Sequence, residues 1–263
     1  MNNLTQRILT AIVLAALMFF FVFKAPVIWF FGYLMVIVLL SLFELLRLTN
    51  TSTLNKIFSI SVVIIFSVNM LFGLPTGHPF AVLIFPIACV WWLLNTYKVI
   101  NYPCNKPTNF GLSTNSLLLL TPIFGLWLLH LTDHKPLLLL LFLIVWGADS
   151  FAYFAGKAFG RRKLAPNLSG GKTIEGVIGG LVGVLIITGV WMYLNNETNL
   201  WLLLLALITG IFSVVGDLYE SIYKREAGVK DSGSLLPGHG GVLDRIDGLL
   251  AATPIFVTGT MFL

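Results

Sequence analysis

Long apolar stretches separated by short polar segments run through the whole chain, and this pattern predicts membrane-spanning helices. A helix needs roughly 17–25 mainly apolar residues to cross a bilayer, and stretches near that length recur along the sequence. We therefore predict an all-α, polytopic integral membrane protein with nine transmembrane helices. The predicted spans are Ile8–Phe23, Pro26–Phe43, Ile57–Leu74, Pro79–Asn95, Ser116–Leu131, Pro136–Phe159, Ile174–Leu194, Asn199–Tyr223 and Gly248–Leu263.

The composition excludes a soluble globular protein. Hydrophobic residues make up 57% of the 263 residues and charged residues only 10%, whereas soluble domains average about 25% charged residues. We predict one transmembrane domain over residues 1–263, with N-terminal helices in 1–135 and the helices that carry the site in 136–263. Cys89 and Cys104 show no spacing typical of a disulfide framework or a metal site. The first apolar stretch lacks a cleavage site of small residues, so we interpret it as a retained helix.

Lysine and arginine are distributed unequally between the two sides of the predicted membrane. With nine spans, the N-terminus and the loops after even-numbered spans share one side, which holds 14 of the 16 basic residues. Basic loops stay in the cytoplasm, so we predict a cytoplasmic N-terminus. The residues on this side are Arg7, Arg47, Lys56, Lys98, Lys106, Lys157, Arg161, Arg162, Lys163, Lys172, Lys224, Arg225, Lys230 and Arg245, against Lys24 and Lys135 on the other.

The densest group of charges lies between Gly216 and Asp247, directly after an uncharged stretch. Six of the eleven acidic residues are here, and one helix face carries Asp217, Glu220, Ser221 and Lys224. Two carboxylate pairs on either side of a glycine-rich loop suit Mg²⁺, which prefers oxygen ligands and substrate phosphates. With the nearby cations, they predict phosphoryl or nucleotidyl transfer. The alternative is a solvated loop of salt bridges. The second pair is Asp244 and Asp247, and the cations are Lys224, Arg225, Lys230 and Arg245.

His239 lies in the glycine-rich turn of this stretch, and its role stays open at this point. It binds phosphate, acts as an acid, or caps the turn. A single histidine without a second ligand nearby does not make a zinc site.

Asp149 follows the apolar run of the sixth span. An ionisable residue at this depth usually faces a polar cavity or a partner, and Asp149, Tyr153 and Gly156 share one helix face. We interpret Asp149 as functional; the alternative is an acidic residue at a helix end.

The segment 169–176 contains Gly-Gly-Lys-Thr without being a nucleotide P-loop, because Pro166 stands where that motif requires glycine. We predict that Lys172 and its neighbouring hydroxyl groups bind phosphate at the start of the seventh helix, where backbone N–H groups are free. The glycine pairs that follow predict close helix packing. These pairs are Gly176/Gly180 and Gly179/Gly183.

Three blocks of the sequence resemble the phosphatidate cytidylyltransferases, also called CDP-diacylglycerol synthases. They are the segment that begins at Asp149, residues 169–176, and the stretch from Gly216 to Asp247. The resemblance runs from about Asp149 to Asp247, whereas the first five spans are generic apolar sequence. One departure is Ser169-Gly170, where the family usually has Ser-Pro. The longest match is Ser221-x2-Lys224-Arg225-x4-Lys230-Asp231-x-Gly233-x3-Pro237-Gly238-His239-Gly240-Gly241-x2-Asp244-Arg245-x-Asp247.

The resemblance implies Mg²⁺-dependent transfer of a cytidylyl group from CTP to phosphatidic acid. It leaves open whether a monovalent cation assists. It also implies a homodimer in a bacterial cytoplasmic (inner) membrane with the site facing the cytoplasm, and no nucleic-acid partner. The implied metal ligands are Asp217, Asp244 and Asp247. The catalytic set adds Lys224, Arg225, Lys230, Asp231, His239 and Arg245; the substrate-binding set is Asp149, Tyr153, Ser169, Lys172, Thr173, Glu175, Ser221, Gly240 and Gly241.

Two other functions fit part of the pattern. A CTP-dependent polyprenol kinase also uses CTP at a membrane, but the block from Gly238 to Asp247 argues against it. A membrane transporter is the alternative from another class. It would place its carboxylates in the middle of broken helices, whereas here they cluster at the predicted cytoplasmic ends of the helices.

Overall fold

The fold is a bundle of long helices. The structure is a computed structural model that describes residues 3–49, 52–72, 79–103, 112–132, 134–238 and 240–263. Within these residues each of the nine predicted spans overlaps one helix. The helices are α1 Asn3–Phe23, α2 Val27–Leu48, α3 Thr53–Phe72, α4 Pro79–Ile100, α5 Leu112–Leu131, α6 Lys135–Phe159, α7 Ile174–Asn195, α8 Trp201–Glu226 and α9 Leu243–Thr260.

Six helices in the described part of the chain are long and apolar enough to cross a membrane, namely α2, α3, α4, α6, α7 and α8. In α1 and α5 the apolar part is shorter, Ile12–Phe23 and Leu118–Leu131. Large apolar side chains on the outer faces are exposed, including Ile65 at 62% and Leu94 at 68%. A contiguous apolar exterior of this kind is stable in lipid and costly in water, so the chain is a helical integral membrane protein.

The last helix lies at the centre of the bundle. α9 packs against α4, α5, α6 and α8, and most of its side chains are buried. Its contact with α8 is close, because a Cβ added to Gly216 would lie 2.5 Å from the backbone oxygen of Asp247. The start of α9, with Asp244 buried, is thereby held next to the second half of α8.

The contact between α6 and α7 confirms the packing predicted from the glycine pairs. A Cβ on Gly176 would lie 2.8 Å from the backbone oxygen of Ala152, and one on Gly180 would lie 2.7 Å from that of Ala148. Small residues permit this approach of two helix backbones. The polar C-terminal end of α6 is therefore held beside the start of α7.

A two-stranded antiparallel hairpin between α6 and α7 departs from the all-α prediction. Its strands are β1, Lys163–Ala165, and β2, Ser169–Thr173. The sequence analysis placed Lys172 at the start of the seventh helix, but Lys172 lies on β2. The reason is local: the Thr173 hydroxyl accepts the backbone N–H of Gly176 at 3.1 Å, so Thr173 caps the helix and α7 begins at Ile174, as the predicted seventh span does.

Candidate active site

Both oxygens of the Asp244 carboxylate accept hydrogen bonds from α8 or from the loop between α8 and α9. Its Oδ1 accepts from Lys224 Nζ at 2.8 Å. Its Oδ2 accepts from the backbone N–H of Ser232 at 2.9 Å, from Ser232 Oγ at 3.0 Å and from the backbone N–H of Gly241 at 2.8 Å. Four donors use nearly all the acceptor capacity of a carboxylate. Asp244, on α9, therefore connects the loop between α8 and α9 to both helices through Lys224, Ser232 and Gly241.

Lys224 lies between two carboxylates in a nearly dry environment. It forms ion pairs with Glu220, one turn earlier on α8, and with Asp244 on α9. The Lys224 side chain is 9% exposed and that of Glu220 is fully buried. A buried charge is tolerated only when it is paired, so these three residues depend on one another.

A second ion pair joins the hairpin to α8. Lys172 on β2 pairs with Asp217, and each side chain is about one fifth exposed, at 21% and 22%. Burial by itself lowers the pKa of Lys172, but the carboxylates of Asp217 and Asp149 outweigh it, so the pKa lies above its ordinary value. Lys172 therefore stays charged at neutral pH.

Asp247, Asp149 and Arg245 complete the group. The Asp247 carboxylate accepts from the backbone N–H of Gly248 at 2.7 Å. It lies within electrostatic range of Asp217, Glu220 and Asp149, and Asp149 is in turn within range of Arg245. We call the resulting set the charged cluster. It has five carboxyl groups and three basic side chains, and its members are Asp149, Lys172, Asp217, Glu220, Lys224, Asp244, Arg245 and Asp247.

The predicted metal ligands do not form a ready three-residue cage. Within the described ranges, no three His, Cys, Asp or Glu side chains are grouped closely enough to hold a metal ion. Asp217 is paired with Lys172, and Asp244 is engaged by Lys224. Mg²⁺ often uses only one or two protein carboxylates and completes its shell with water and substrate phosphates. The ligand set Asp217, Asp244 and Asp247 stays a prediction.

An apolar cavity of about 520 Å³ opens beside the charged cluster. Side chains of α1, α2, α5, α6 and α9 line it, including Met18, Leu34 and Trp146. Asp149, Asp244, Arg245 and Asp247 also line the cavity, and its volume falls in the range of small-molecule sites. The cavity therefore combines an apolar wall with charged groups of both signs.

Gly240 and Gly241 have a spatial role at the start of α9. Gly240 has φ of +81°, and a Cβ there would lie 2.7 Å from Asp244 Oδ2. A Cβ on Gly241 would overlap Ser232 and Glu44. Both glycines thus let the loop backbone approach the carboxylates, and their predicted contact with substrate is not tested by this geometry.

Three other predicted residues brace the hairpin. Arg225 donates from Nε to the Leu168 carbonyl and from Nη1 to the Val229 carbonyl, both at 2.9 Å. Glu175 accepts the backbone N–H groups of Arg161 and Arg162 at 3.0 and 3.1 Å. Thr173 caps α7, as described above. These contacts hold the strand that carries Lys172.

The remaining predicted residues are placed in different surroundings. Lys230 and Asp231 are exposed in the loop between α8 and α9, Tyr153 is 63% exposed, and Ser169 is half-buried on β2. Ser221 is buried within α8. His239 lies outside the described residues, as do Lys106 and Cys104.

Sequence reasoning missed Glu44. This residue of α2 is 1% exposed, and its carboxylate receives donors from the loop and from the start of α9. The signal was present, because an acidic residue within an apolar span is by default a functional candidate. Glu44 lies in the part of the chain that was interpreted as generic apolar sequence.

Comparison with known proteins extends this picture beyond the three sequence blocks. The chain is 47% identical to the phosphatidate cytidylyltransferase of Haemophilus influenzae over 191 residues, covering 64% of this chain and 65% of that protein. It is 46% identical to the protein of that name from Pseudomonas aeruginosa over 178 residues, covering 65% and 66%. A third such protein, from Staphylococcus haemolyticus, is 48% identical over 126 residues, covering 47% and 48%.

The aligned part spans just under two thirds of the length of the first two relatives. The family match is longer: the pattern described as the cytidylyltransferase family covers residues 5–262. The interpretation of the first five spans as generic sequence is therefore wrong, because a family pattern includes them. This chain belongs to the cytidylyltransferase family.

Proposed function

We propose that this protein transfers a cytidylyl group from CTP to phosphatidic acid, producing CDP-diacylglycerol and pyrophosphate. The observation that carries the proposal is the apolar cavity with the charged cluster beside it. A diacyl lipid phosphate has the same division, with apolar chains and an anionic head group. The curated relatives named phosphatidate cytidylyltransferase support the same substrates.

The chemistry requires positioning more than acid–base catalysis. An oxygen of the lipid phosphate attacks the α-phosphorus of CTP, and the new P–O bond forms as the bond to the β-phosphate breaks and pyrophosphate leaves. The attacking oxygen is already anionic, so no strong general base is needed. Lys172, Lys224 and Arg245 counter the charge of the phosphates, because catalysis of this class is mainly electrostatic.

The charged cluster suits the Mg²⁺ that we propose as cofactor. Its acidic members offer only oxygen atoms, which hard cations prefer. Asp217 and Asp247 would hold the ion, and Asp244 joins them only by exchanging the Lys224 ammonium group for the metal. When bound, Mg²⁺ stabilises charge on the transferred phosphoryl group and on pyrophosphate. An assisting monovalent cation stays part of the proposal.

Nine membrane crossings with a cytoplasmic N-terminus agree with the way the helix ends meet. The C-terminal parts of α2 and α8 meet the start of α9 through Glu44 and Lys224. The hairpin after α6 reaches α8 through Lys172, and Thr10 near the start of α1 donates to the Pro237 carbonyl at 3.2 Å. All these ends lie on one side in a nine-span topology, which is the side of the basic residues.

The opposite helix ends also meet one another. His130 near the end of α5 lies 3.1 Å from the Val22 carbonyl near the end of α1. Trp201 at the start of α8 donates to the Gly259 carbonyl near the end of α9 at 2.9 Å. We therefore propose that the charged cluster faces the cytoplasm of a bacterial inner membrane. The homodimer rests on the family resemblance.

Activity is tested with purified protein, labelled CTP and phosphatidic acid. We expect labelled CDP-diacylglycerol in the presence of Mg²⁺ and none in excess EDTA, because the metal completes the electrostatic site. A polyprenol in place of phosphatidic acid serves as the substrate control. Product formed in excess chelator would contradict the metal requirement, a phosphorylated polyprenol would indicate the kinase, and solute transport without CTP consumption would exclude the enzyme.

Orientation is tested by labelling single cysteines in a variant without Cys89 and Cys104. Ser234 and Thr198 are both exposed, in the loops after and before α8. We expect cysteine at Ser234 to be labelled only from the cytoplasmic side and cysteine at Thr198 only from the outside. Labelling of both positions from one face would show that α8 does not cross the membrane.

A further inference from the structure

Glu44 makes long-range polar contacts at the candidate active site. Its Oε1 accepts the backbone N–H of Val242 at 3.1 Å, and its Oε2 accepts that of Leu243 at 2.9 Å. Its Oε2 also accepts from Ser232 Oγ at 3.0 Å. These partners lie 188 to 199 residues further along the chain, so Glu44 connects α2 directly to the loop and to α9.

The contacts supply a helix cap that α9 lacks in its own sequence. Helices begin with backbone N–H groups that have no partner within the helix, and Val242, at the N-cap position, has no polar side chain to accept them. Glu44 accepts two of these N–H groups from another helix. Its negative charge also interacts favourably with the positive end of the helix dipole.

Ser232 extends the effect of Glu44 to Asp244. The Ser232 hydroxyl lies 3.0 Å from Glu44 Oε2 and 3.0 Å from Asp244 Oδ2, so its single proton is shared between the two carboxylates and connects them. Space for this bridge comes from missing side chains, because a Cβ on Gly233 or Gly241 would overlap Glu44. A shift of the Glu44 carboxylate would therefore shift Ser232, the start of α9 and Asp244 together.

We propose that Glu44 is a positioning residue that sets the orientation of Asp244 for cytidylyl transfer, an inference that rests on the proposed function. Glu44 acts through Ser232 and the backbone of α9. Each of its two oxygens accepts a backbone N–H group, Oε1 from Val242 and Oε2 from Leu243, so both positions require an acceptor and a carboxylate fits. In an amide of the same size, one oxygen is replaced by an NH₂ group that faces a donor.

The test compares Glu44→Gln with Ser41→Ala. Ser41 is a matched control because it lies on the same helix, is fully buried, and its hydroxyl has no hydrogen-bond partner among the described residues. We expect Glu44→Gln to raise amide hydrogen exchange at residues 242 and 243 by about tenfold, because hydrogen bonds to charged groups are strong. We expect kcat to fall by about 10²-fold, the cost of a small misplacement of reacting groups. Ser41→Ala changes neither quantity.

A purely structural role predicts a different result. In that case Glu44→Gln lowers the unfolding temperature but leaves kcat per folded molecule at the wild-type value, and this outcome would overturn the proposal. Ser232→Ala provides the second variant if Glu44→Gln does not fold. It keeps the cap on α9 and removes only the bridge, so we expect lower kcat with unchanged exchange at residues 242 and 243. A wild-type kcat for Ser232→Ala would also overturn the proposal.

The exchange measurement separates this inference from the proposed function. If the wild-type protein makes no CDP-diacylglycerol, the proposed function fails, and the assignment of Glu44 to cytidylyl transfer is overturned with it. Faster exchange at residues 242 and 243 in Glu44→Gln then still supports its role as the cap of α9. If the wild-type protein is active and Glu44→Gln matches it in both exchange and kcat, the positioning role alone is overturned.

Discussion

Asp244→Asn is expected to lower kcat by about 10²–10³-fold, the usual cost of removing one preorganised charged or hydrogen-bonding group. The side chain keeps its size, but its NH₂ group must face either the Lys224 ammonium or the three donors now held by Oδ2. The substitution also removes one of the charges that we propose for the metal. The rate is measured with labelled CTP at saturating and limiting Mg²⁺.

Asp217→Asn is expected to have an effect of similar size, because it releases Lys172 and removes a second carboxylate from the charged cluster. If the two aspartates act as one unit, the double variant is hardly worse than either single one, since effects within a unit are not additive. Glu226→Gln is the control, because Glu226 is exposed at the end of α8. Near-normal turnover of Asp217→Asn at limiting Mg²⁺ would contradict its role as a metal ligand, and the same result for Asp244→Asn would show that Asp244 does not join the metal site.

Lys224→Met is expected to lower the free energy of unfolding by about 3–5 kcal/mol, the usual cost of breaking a buried ion pair from one side. Methionine fills much of the space of the lysine stem, so the lost charge accounts for most of the effect. The fully buried Glu220 carboxylate is left without a counter-charge, and Asp244 loses one of its four donors. Thermal unfolding in detergent, compared with wild type, measures the loss.

The double variant Lys224→Met/Glu220→Gln separates the charge effect from packing. It removes the unpaired buried carboxylate, so we expect it to recover part of the lost stability. Lys157→Met is the surface control, because Lys157 is exposed near the end of α6. If Lys224→Met unfolds at the wild-type temperature, Glu220 does not need Lys224 as a charged partner. The interpretation that Glu220, Lys224 and Asp244 depend on one another is then wrong.

The sequence alone was sufficient to predict the helices, because bilayer-length apolar runs are a local property. It also predicted a group of charges between Gly216 and Asp247, and the structure brings Asp217, Lys224 and Asp244 of this stretch into ion pairs; the role of this group as the active site stays a prediction. The close α6–α7 contact was predictable from Gly176 and Gly180, because small residues four apart let two helix backbones approach. Each of these features depends on residues that are near one another in sequence.

The pairing of the charges follows from the tertiary packing. The sequence indicated that Asp217 and Asp244 lie near each other, but the structure pairs Asp217 with Lys172 and Asp244 with Lys224. Strand β2, which carries Lys172, could not be predicted either, because a short polar segment with two glycines has no apolar periodicity. Its conformation depends on contacts from other elements, such as Arg225 with the Leu168 carbonyl.

Glu44 shows the physical reason most clearly. Its hydrogen bonds reach residues almost 200 positions away, and two of the donors are backbone N–H groups, which every residue except proline possesses. A single sequence therefore carries no pattern that pairs Glu44 with Val242 and Leu243. Their contact exists because α2 and α9 pack in the same bundle, where a buried carboxylate requires donors and a helix start requires an acceptor.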